Sequence, residues 1–441
     1  MRMNGPRLST NFRNSSVDRP IQNGTKPVIP RWRLSHLLLA PHRLAFFMGA
    51  VMLGTSALWW TALLLARALQ WPLSPAVPAP LMHALLMSLV YMPLFFCGFL
   101  YTAGPKWLKL PAVSARSLLP ALATLMAGWA LAWIGMHWQM QMAALGMGLV
   151  AVAWSALSLR FARMVWCSRV RDKIHTTLAS AACLMGAAVM LWLTVSLALN
   201  SMPLLRTGIQ MGIWWFLAPV FAVMSHRMVP FFSATLIERL DAWRPNWVLV
   251  VMVGALLFEG LASVTDLWWW PLPPALRWLQ VGVEAPLALL MLGLALRWGF
   301  VQSLKIRLLA MLHGGFVWLG LALALNAVSH GLMAASGDTA SLGLAPLHAM
   351  TMGYLGCTMF AMVTRISSGH GGRKESADNM VWRLYWVLQA AVVLRVSAAM
   401  ADALSQSLTL TAAAAWCVVM VGWAVRYGYW FGTPRPDGRD G

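Results

Sequence analysis

Long apolar stretches alternate with short polar connections along most of the chain. The hydrocarbon core of a bilayer is about 30 Å thick, so a spanning helix needs about 20 mainly apolar residues. Applied along the sequence, this rule predicts twelve transmembrane helices. In chain order they lie near residues 44–66, 79–103, 117–136, 139–158, 176–199, 207–224, 246–265, 274–296, 308–328, 342–364, 380–401 and 408–427.

The short connections between these segments leave no room for a soluble domain. Residues 36–430 are therefore expected to form a single all-α, polytopic transmembrane bundle. Residues 1–35 are polar and basic, which is typical of a disordered arm that can lie on anionic lipid head groups. Residues 431–441 form a short polar tail, expected on the same side as the arm.

Composition supports the membrane class, since 60% of the 441 residues are hydrophobic and only 10% are charged. A water-soluble chain of this length needs many more charged residues to cover its surface. Lipid is therefore the expected solvent for most side chains, and the bilayer is the first expected partner.

The Lys and Arg residues are distributed very unequally between the two predicted faces. Of the 33, 29 fall in the termini and the connections of one face, and Arg395 lies within a segment; the other face holds Arg67, Arg206 and Arg277. Cytoplasmic loops carry the excess of basic residues, so both termini are expected in the cytoplasm. This asymmetry explains the net charge of +20 without a nucleic-acid partner.

Histidine is costly inside a membrane, so each buried histidine is a candidate functional residue. At 1.5 Å per residue, His83 lies about 6 Å below the outer end of predicted helix 2, and His348 about 9 Å below that of helix 10. Two imidazoles at similar depth on separate helices are what axial ligation of a haem iron requires. Separate hydrogen bonds to neighbouring helices explain the two positions equally well.

Other histidines lie towards the inner face. His313 is expected about 8 Å above the inner end of helix 9, and His226 at the inner end of helix 6. Imidazole and thioether ligands suit copper, so these two histidines could share a copper ion; with 30 methionines, a nearby thioether is expected by chance. His42, His175 and His370 are expected at cytosolic edges, in contact with water or head groups, with His370 a weaker metal candidate.

Few other ionisable residues enter the predicted helices. Glu284 lies near the bilayer centre and must be paired or protonated. Arg395 lies at a depth where it could form a salt bridge with Glu259 or Asp402. The alternative for Arg395 is contact with the propionates of a haem.

Four segments carry a family resemblance. They are Gly98-Phe-Leu-Tyr-Thr-Ala-Gly-Pro-Lys-Trp107 after His83, Ser225-His-Arg-Met-Val-Pro-Phe-Phe-Ser233, Leu312-His-Gly-Gly-Phe-Val-Trp-Leu319, and His348-Ala-Met-Thr-Met-Gly353 followed by Met362-Val-Thr-Arg-Ile-Ser-Ser-Gly-His-Gly-Gly-Arg373. Their order and spacing resemble the NnrS family of bacterial inner-membrane proteins that contain haem and copper. In one departure, many members carry His-Ala-His-Glu-Met where this chain has His83-Ala-Leu-Leu-Met87.

The resemblance implies a multi-pass protein of the bacterial inner membrane that acts in the response to nitric oxide and nitrosative stress. Haem is the expected cofactor and copper the second, with nitric oxide or a related small molecule as ligand. With the depth argument above, the residues predicted to bind haem are His83, His348 and Arg395, and those predicted to bind metal are His83, His348, His313, His226 and His370. Neither the electron donor nor turnover of a substrate is specified by these motifs.

Two other readings of a twelve-helix bundle are open to test. Secondary transporters are also built from two helical halves, and Pro93 and Pro286 correspond across the halves, although no internal sequence repeat joins them.

The layout also resembles the catalytic subunit of haem-copper oxidases. Predicted helix 7 has no histidine, so the three-histidine copper centre of those enzymes cannot form in the same way, and reduction of oxygen or nitric oxide at such a centre is disfavoured.

The charge asymmetry gives a direct topology test. Reporter fusions placed after residue 35 and after residue 430 should both report the cytoplasm, because the basic connections hold both termini on that side. A periplasmic signal at either junction would mean that the number of membrane crossings is odd.

Overall fold

The computed structural model describes residues 31–238, 240–373, 377–401 and 403–436. Most of the predicted basic arm, the last five residues of the tail and Asp402 lie outside these ranges. Within them the chain is helical and contains no β-strand, which confirms the all-α prediction.

Twelve long helices account for most of the described residues. They are α1 (Pro41–Ala68), α2 (Ala79–Leu108), α3 (Leu119–Trp138), α4 (Met140–Cys167), α5 (Ile174–Ala198), α6 (Met202–Leu236), α7 (Asn246–Trp269), α8 (Pro274–Arg297), α9 (Arg307–Ser336), α10 (345–370), α11 (Asn379–Ala398) and α12 (Ser405–Phe431). Each coincides with one predicted segment. Ten, all except α10 and α11, are long and apolar enough by themselves to cross a membrane.

Helices α6 and α10 extend further than predicted at the basic end of the bundle, which is the end that carries most of the Lys and Arg residues. Helix α6 continues to Leu236, so the prediction that His226 ends this helix is wrong. Helix α10 continues to His370, leaving only a short turn at 371–373, in which Gly372 has a φ of +64° that favours glycine. Both extensions begin with polar side chains, Ser225-His226-Arg227 in α6 and Thr364-Arg365 in α10, so a rule based on apolar length ends each predicted segment near them.

Helices α2, α6 and α10 form the centre of the bundle. In α2, 89% of the most apolar stretch is buried, and in α6 83%, whereas the figure for α8 and α12 is 33%. Helix α10 packs closely on α9 because Gly315 has no side chain: a Cβ there would lie 2.8 Å from the backbone nitrogen of Thr358. Small residues allow such close approach of helices in membranes.

Each central helix contains one π-helical segment. These are Leu85–Leu89 in α2, Gly212–Leu217 in α6 and Ala349–Gly356 in α10. The first begins two residues after His83 and the third immediately after His348. Such widened turns are rare in helices, and those that occur are often found at functional sites. Their positions therefore indicate a candidate functional site at the ends of α2 and α10 that carry His83 and His348.

A network of charged side chains joins α7, α8 and α9, outside the three central helices. The guanidinium of Arg277 is fully buried and lies 2.6 Å from Asp266 and 3.0 Å from Asp338. His330 Nδ1 lies 2.8 Å from Glu284, which supplies the partner that this carboxylate requires. The network therefore satisfies, within the protein, charges that lipid cannot solvate.

Removing Arg277 should destabilise the protein strongly. Arg277→Ala leaves the carboxylate of Asp338, whose side chain is 4% exposed, without its cation, and breaking a buried ion pair in this way costs about 3–5 kcal/mol. The matched control is Arg297→Ala, which breaks the exposed 3.4 Å pair with Asp241 and should cost less than about 1 kcal/mol. Thermal unfolding of the two variants in detergent measures the difference; equal midpoints would contradict this role of Arg277.

Candidate functional site

A cavity of about 360 Å³ lies at the end of the bundle predicted to face outward. His83 of α2, His348 of α10 and Arg395 of α11 all line it, together with side chains of α1, α6 and α12. Its walls are mainly apolar and aromatic, and cavities of a few hundred Å³ with few polar groups are typical of cofactor sites. The structure therefore brings together the three residues that the sequence assigns to haem.

The two imidazoles face each other across part of this cavity. Their ring centres are 6.4 Å apart and their planes differ by 17°. With metal–nitrogen bonds of about 2.0–2.1 Å, two imidazoles on opposite sides of one ion have centres about 6.3 Å apart. The observed distance between the ring centres agrees with this value.

The orientation of each ring has an identifiable cause. His348 Nδ1 lies 2.9 Å from the carbonyl oxygen of Leu344; since a carbonyl only accepts, Nδ1 must donate, which leaves Nε2 unprotonated and able to bind a metal. The His83 ring is stacked on Trp60 at 3.9 Å. His83 Nδ1 is buried without a hydrogen-bond partner among the described residues, an arrangement that is rare and calls for an explanation.

Two cations lie in the same cavity wall. Arg395 and Arg67 both line the cavity, and neither forms a hydrogen bond or ion pair with a described residue. Glu259, one of the two partners expected for Arg395, instead accepts a 2.7 Å hydrogen bond from Asn326. Asp402, the other, lies outside the described residues. Both arginines are thus available to carboxylates of a bound ligand.

The five other histidines considered above, His42, His175, His226, His313 and His370, form separate groups towards the basic end. His226 Nδ1 lies 3.0 Å from His175 Nε2, whereas His313 Nε2 lies 2.8 Å from the hydroxyl of Ser233. The structure thus gives His226 and His313 different partners. His42 and His370 have ring centres 4.8 Å apart.

The environment predicted for two of these histidines is wrong. His42 is 3% exposed and His175 is 6% exposed, whereas both were expected in contact with water or head groups. The extended ends of α6 and α10 cover them. Among the described residues, no group of three or more His, Cys, Asp or Glu side chains could hold a metal.

The match to a known family covers almost the whole chain. A family model described as NnrS protein matches residues 36–435. The chain belongs to the NnrS family. The match begins before α1 and ends after α12, so it includes both histidine-bearing ends of the bundle. A comparison with curated proteins found no match.

The motifs of this NnrS chain occupy defined places in the fold. The segment that begins at His348 contains the π-helical turn, and Gly353 within it packs against the ring of Trp318. Arg373, at the end of the last motif, lies over the ring of Trp430 at 4.3 Å. Leu85 and Leu86, which stand where many members are expected to have His and Glu, are fully buried, so apolar packing replaces polar groups beside His83.

Sequence reasoning missed several residues of the site. Trp60 and Arg67 both line the cavity, but the sequence analysis assigned Arg67 only to the outer face and assigned no role to Trp60. His330 sits four residues after Asn326 on one face of α9, and this spacing together with Glu284 was a signal that could have identified the charged network.

Proposed function

We propose that this chain is a haem protein of the bacterial inner membrane that acts in the response to nitric oxide and nitrosative stress. In this proposal His83 and His348 would hold the haem iron, and Arg395 would pair with the propionates. The observation that carries the proposal is the 6.4 Å separation of two nearly parallel imidazoles within one apolar cavity. The same separation excludes a direct hydrogen bond between the two rings, since ring atoms cannot then approach within about 3 Å with good geometry.

Three features of the cavity suit haem in particular. Apolar and aromatic walls from Trp60, Ile213 and Trp416 match the porphyrin faces. Arg395 and Arg67 supply the cations that propionates require, since carboxylates pair with guanidinium groups in a charge-assisted way. The hydrogen bond from His348 Nδ1 to Leu344 leaves Nε2 for a metal, and stacking on Trp60 orients the ring of His83 in the same cavity.

When bound, haem would supply an iron centre that can exchange an electron or bind a diatomic molecule such as nitric oxide. The chain's own residues set how that centre is held. His348 is tied to the backbone of its helix through Leu344. No hydrogen bond restrains Nδ1 of His83, and stacking on Trp60 orients its ring, so His83 would be held less firmly than His348 when a metal is bound.

Copper is the second cofactor of the proposal, and its ligands would come from the opposite end of the bundle. His226, His313 and His370 remain the candidates. The close contacts of His226 with His175 and of His370 with His42 offer imidazole pairs, which suit copper better than a single ligand does.

The transporter alternative receives less support from the fold. In transporters with two related halves, interrupted helices occur at corresponding positions of each half. The π-helical segments of α2 and α6 have no counterpart in α8 and α12, which are continuous over their described lengths. The three helices with π-helical segments, α2, α6 and α10, instead all line the cavity that contains His83 and His348.

Substituting either axial histidine should remove or convert the haem signal. His83→Ala and His348→Ala leave one imidazole, so iron becomes five-coordinate or is lost. His313→Ala is the matched control. His313 is also fully buried, but its Nε2 contacts the hydroxyl of Ser233 and it lies away from the cavity. Reduced-minus-oxidised spectra at matched expression measure the effect.

The haem spectra of the three variants distinguish a site at His83 and His348 from a site at the basic end. The proposal expects a changed or absent spectrum in the first two variants and a wild-type spectrum in the control. A normal haem spectrum in His83→Ala or His348→Ala would sink the axial assignment. Loss of haem only in His313→Ala would move the site to the basic end.

A further inference from the structure

The charged network of α7, α8 and α9 contains more carboxyl groups than cations. Its ionisable members contact one another or interact electrostatically, and they are Asp266, Glu259, Glu284, Arg277, His330 and Asp338. Arg277 and a protonated His330 supply two positive charges against four carboxyl groups. Charges within hydrocarbon must be paired or neutralised. Salt bridges alone therefore cannot satisfy every carboxyl group of this network.

Glu259 is the carboxyl group without a cation beside it. Its side chain belongs to a residue that is 1% exposed; Oε2 accepts a 2.7 Å hydrogen bond from Asn326, and Oε1 is buried without a hydrogen-bond partner among the described residues. A charge on Glu259 would be repelled by Glu284 and Asp266 and attracted by His330. A bound proton removes that charge and gives the buried group a donor.

Glu259 lies deep within the membrane-spanning part of α7. Ten residues separate it from Trp269, the last residue of this helix, which is about 15 Å along the axis and about half of the hydrocarbon thickness. Asp266 lies seven residues after Glu259, about two helical turns, so both carboxyl groups lie on the same face of α7. The side chain of Asp266 is 28% exposed. One face of α7 thus carries an enclosed carboxyl group and an accessible one.

His330 connects the enclosed and accessible parts of the network. Its Nδ1 lies 2.8 Å from Oε1 of Glu284, and its Nε2 lies 3.7 Å from Oδ2 of Asp266. An imidazole can accept a proton on one nitrogen and release one from the other. In such a step an O–H bond at Asp266 is exchanged for an N–H bond at Nε2, and the N–H bond at Nδ1 for an O–H bond at Glu284. No electrons move, and no other reactant is needed.

We propose that Glu259, Glu284 and His330 form a proton-binding site within the membrane, which exchanges protons with the outer side through Asp266. At neutral pH, Glu259 is a neutral carboxyl group, and His330 is an imidazolium between two carboxylates. Arg277 remains paired with Asp338 and holds Asp266 at 2.6 Å. The excess carboxylate that is left is shared with Asp266, which has access to solvent.

The test is infrared spectroscopy of purified full-length protein in a detergent without carbonyl groups. The C=O stretch of a protonated carboxyl group is separate from that of a carboxylate and shifts in heavy water. Spectra are recorded at neutral pH for wild-type protein, Glu259→Gln and Glu238→Gln. Glutamine at 259 has nearly the shape of a protonated glutamate and keeps an acceptor oxygen for Asn326. Glu238→Gln is the matched control, because Glu238 is an exposed glutamate in the connection after α6.

The proposal expects a protonated-carboxyl band in wild-type protein and in Glu238→Gln, and the loss of one such band in Glu259→Gln. Glu259→Asp, which keeps a carboxyl group, should show the band at a changed frequency. Absence of the band from wild-type protein, or an unchanged band in Glu259→Gln, would overturn the proposal. The wild-type spectrum can do so alone, so the unfolding of a variant would not protect the site.

The route through Asp266 is tested by the rate at which the Glu259 band shifts after rapid mixing with heavy water. Asp266→Asn leaves Arg277 in contact with Asp338 but removes the carboxylate that takes up the proton, so exchange should slow about tenfold or more. Glu238→Gln should exchange at the wild-type rate. Equal rates in wild-type protein and Asp266→Asn would contradict the route. None of the substituted residues lines the histidine cavity, so the result is independent of haem binding.

Discussion

Hydrocarbon offers no hydrogen-bond partners, so every polar group that enters the bilayer must find one within the protein. The continuous helices satisfy the backbone, and pairs such as Arg277 with Asp338 satisfy buried charges. Against this background, an unpaired buried nitrogen is significant. Of the buried side-chain atoms without a partner among the described residues, three are the Nδ1 atoms of His42, His83 and His313. Each leaves an imidazole position that a ligand could use.

The same constraint explains why the functional residues gather at the two ends of α2, α6 and α10. These helices are enclosed by the others, so they can carry His, Arg, Ser and Thr side chains that lipid would exclude. At one end, two imidazoles and two arginines line an apolar cavity of about 360 Å³. At the other end, Arg227, Arg244 and Arg365 line a second cavity of about 470 Å³ together with aromatic rings. The three π-helical segments lie towards the first of these ends, and two of them begin within two residues of His83 and His348. One set of central helices thus serves both cavities.

Much of this architecture could be predicted from the sequence, because helix number follows from apolar length and the common depth of His83 and His348 follows from the rise per residue. The rest depends on tertiary packing. No residue pattern marks the π-helical turn after His348. The end of α10 from Thr364 to His370 is polar, so it resembles a loop until neighbouring helices partly bury it. The contact of His42 with His370 joins residues at opposite ends of the chain, which a hydropathy pattern cannot relate.

The central claim is that His83 and His348 bind one iron between nearly parallel imidazoles. Electron paramagnetic resonance of the oxidised, purified wild-type protein tests it most directly, since spin state reports the number and strength of the axial ligands. The account predicts low-spin ferric haem with a rhombic signal, because the planes of the two rings differ by only 17°. A purely high-spin ferric signal, or purified protein without haem iron, would contradict it.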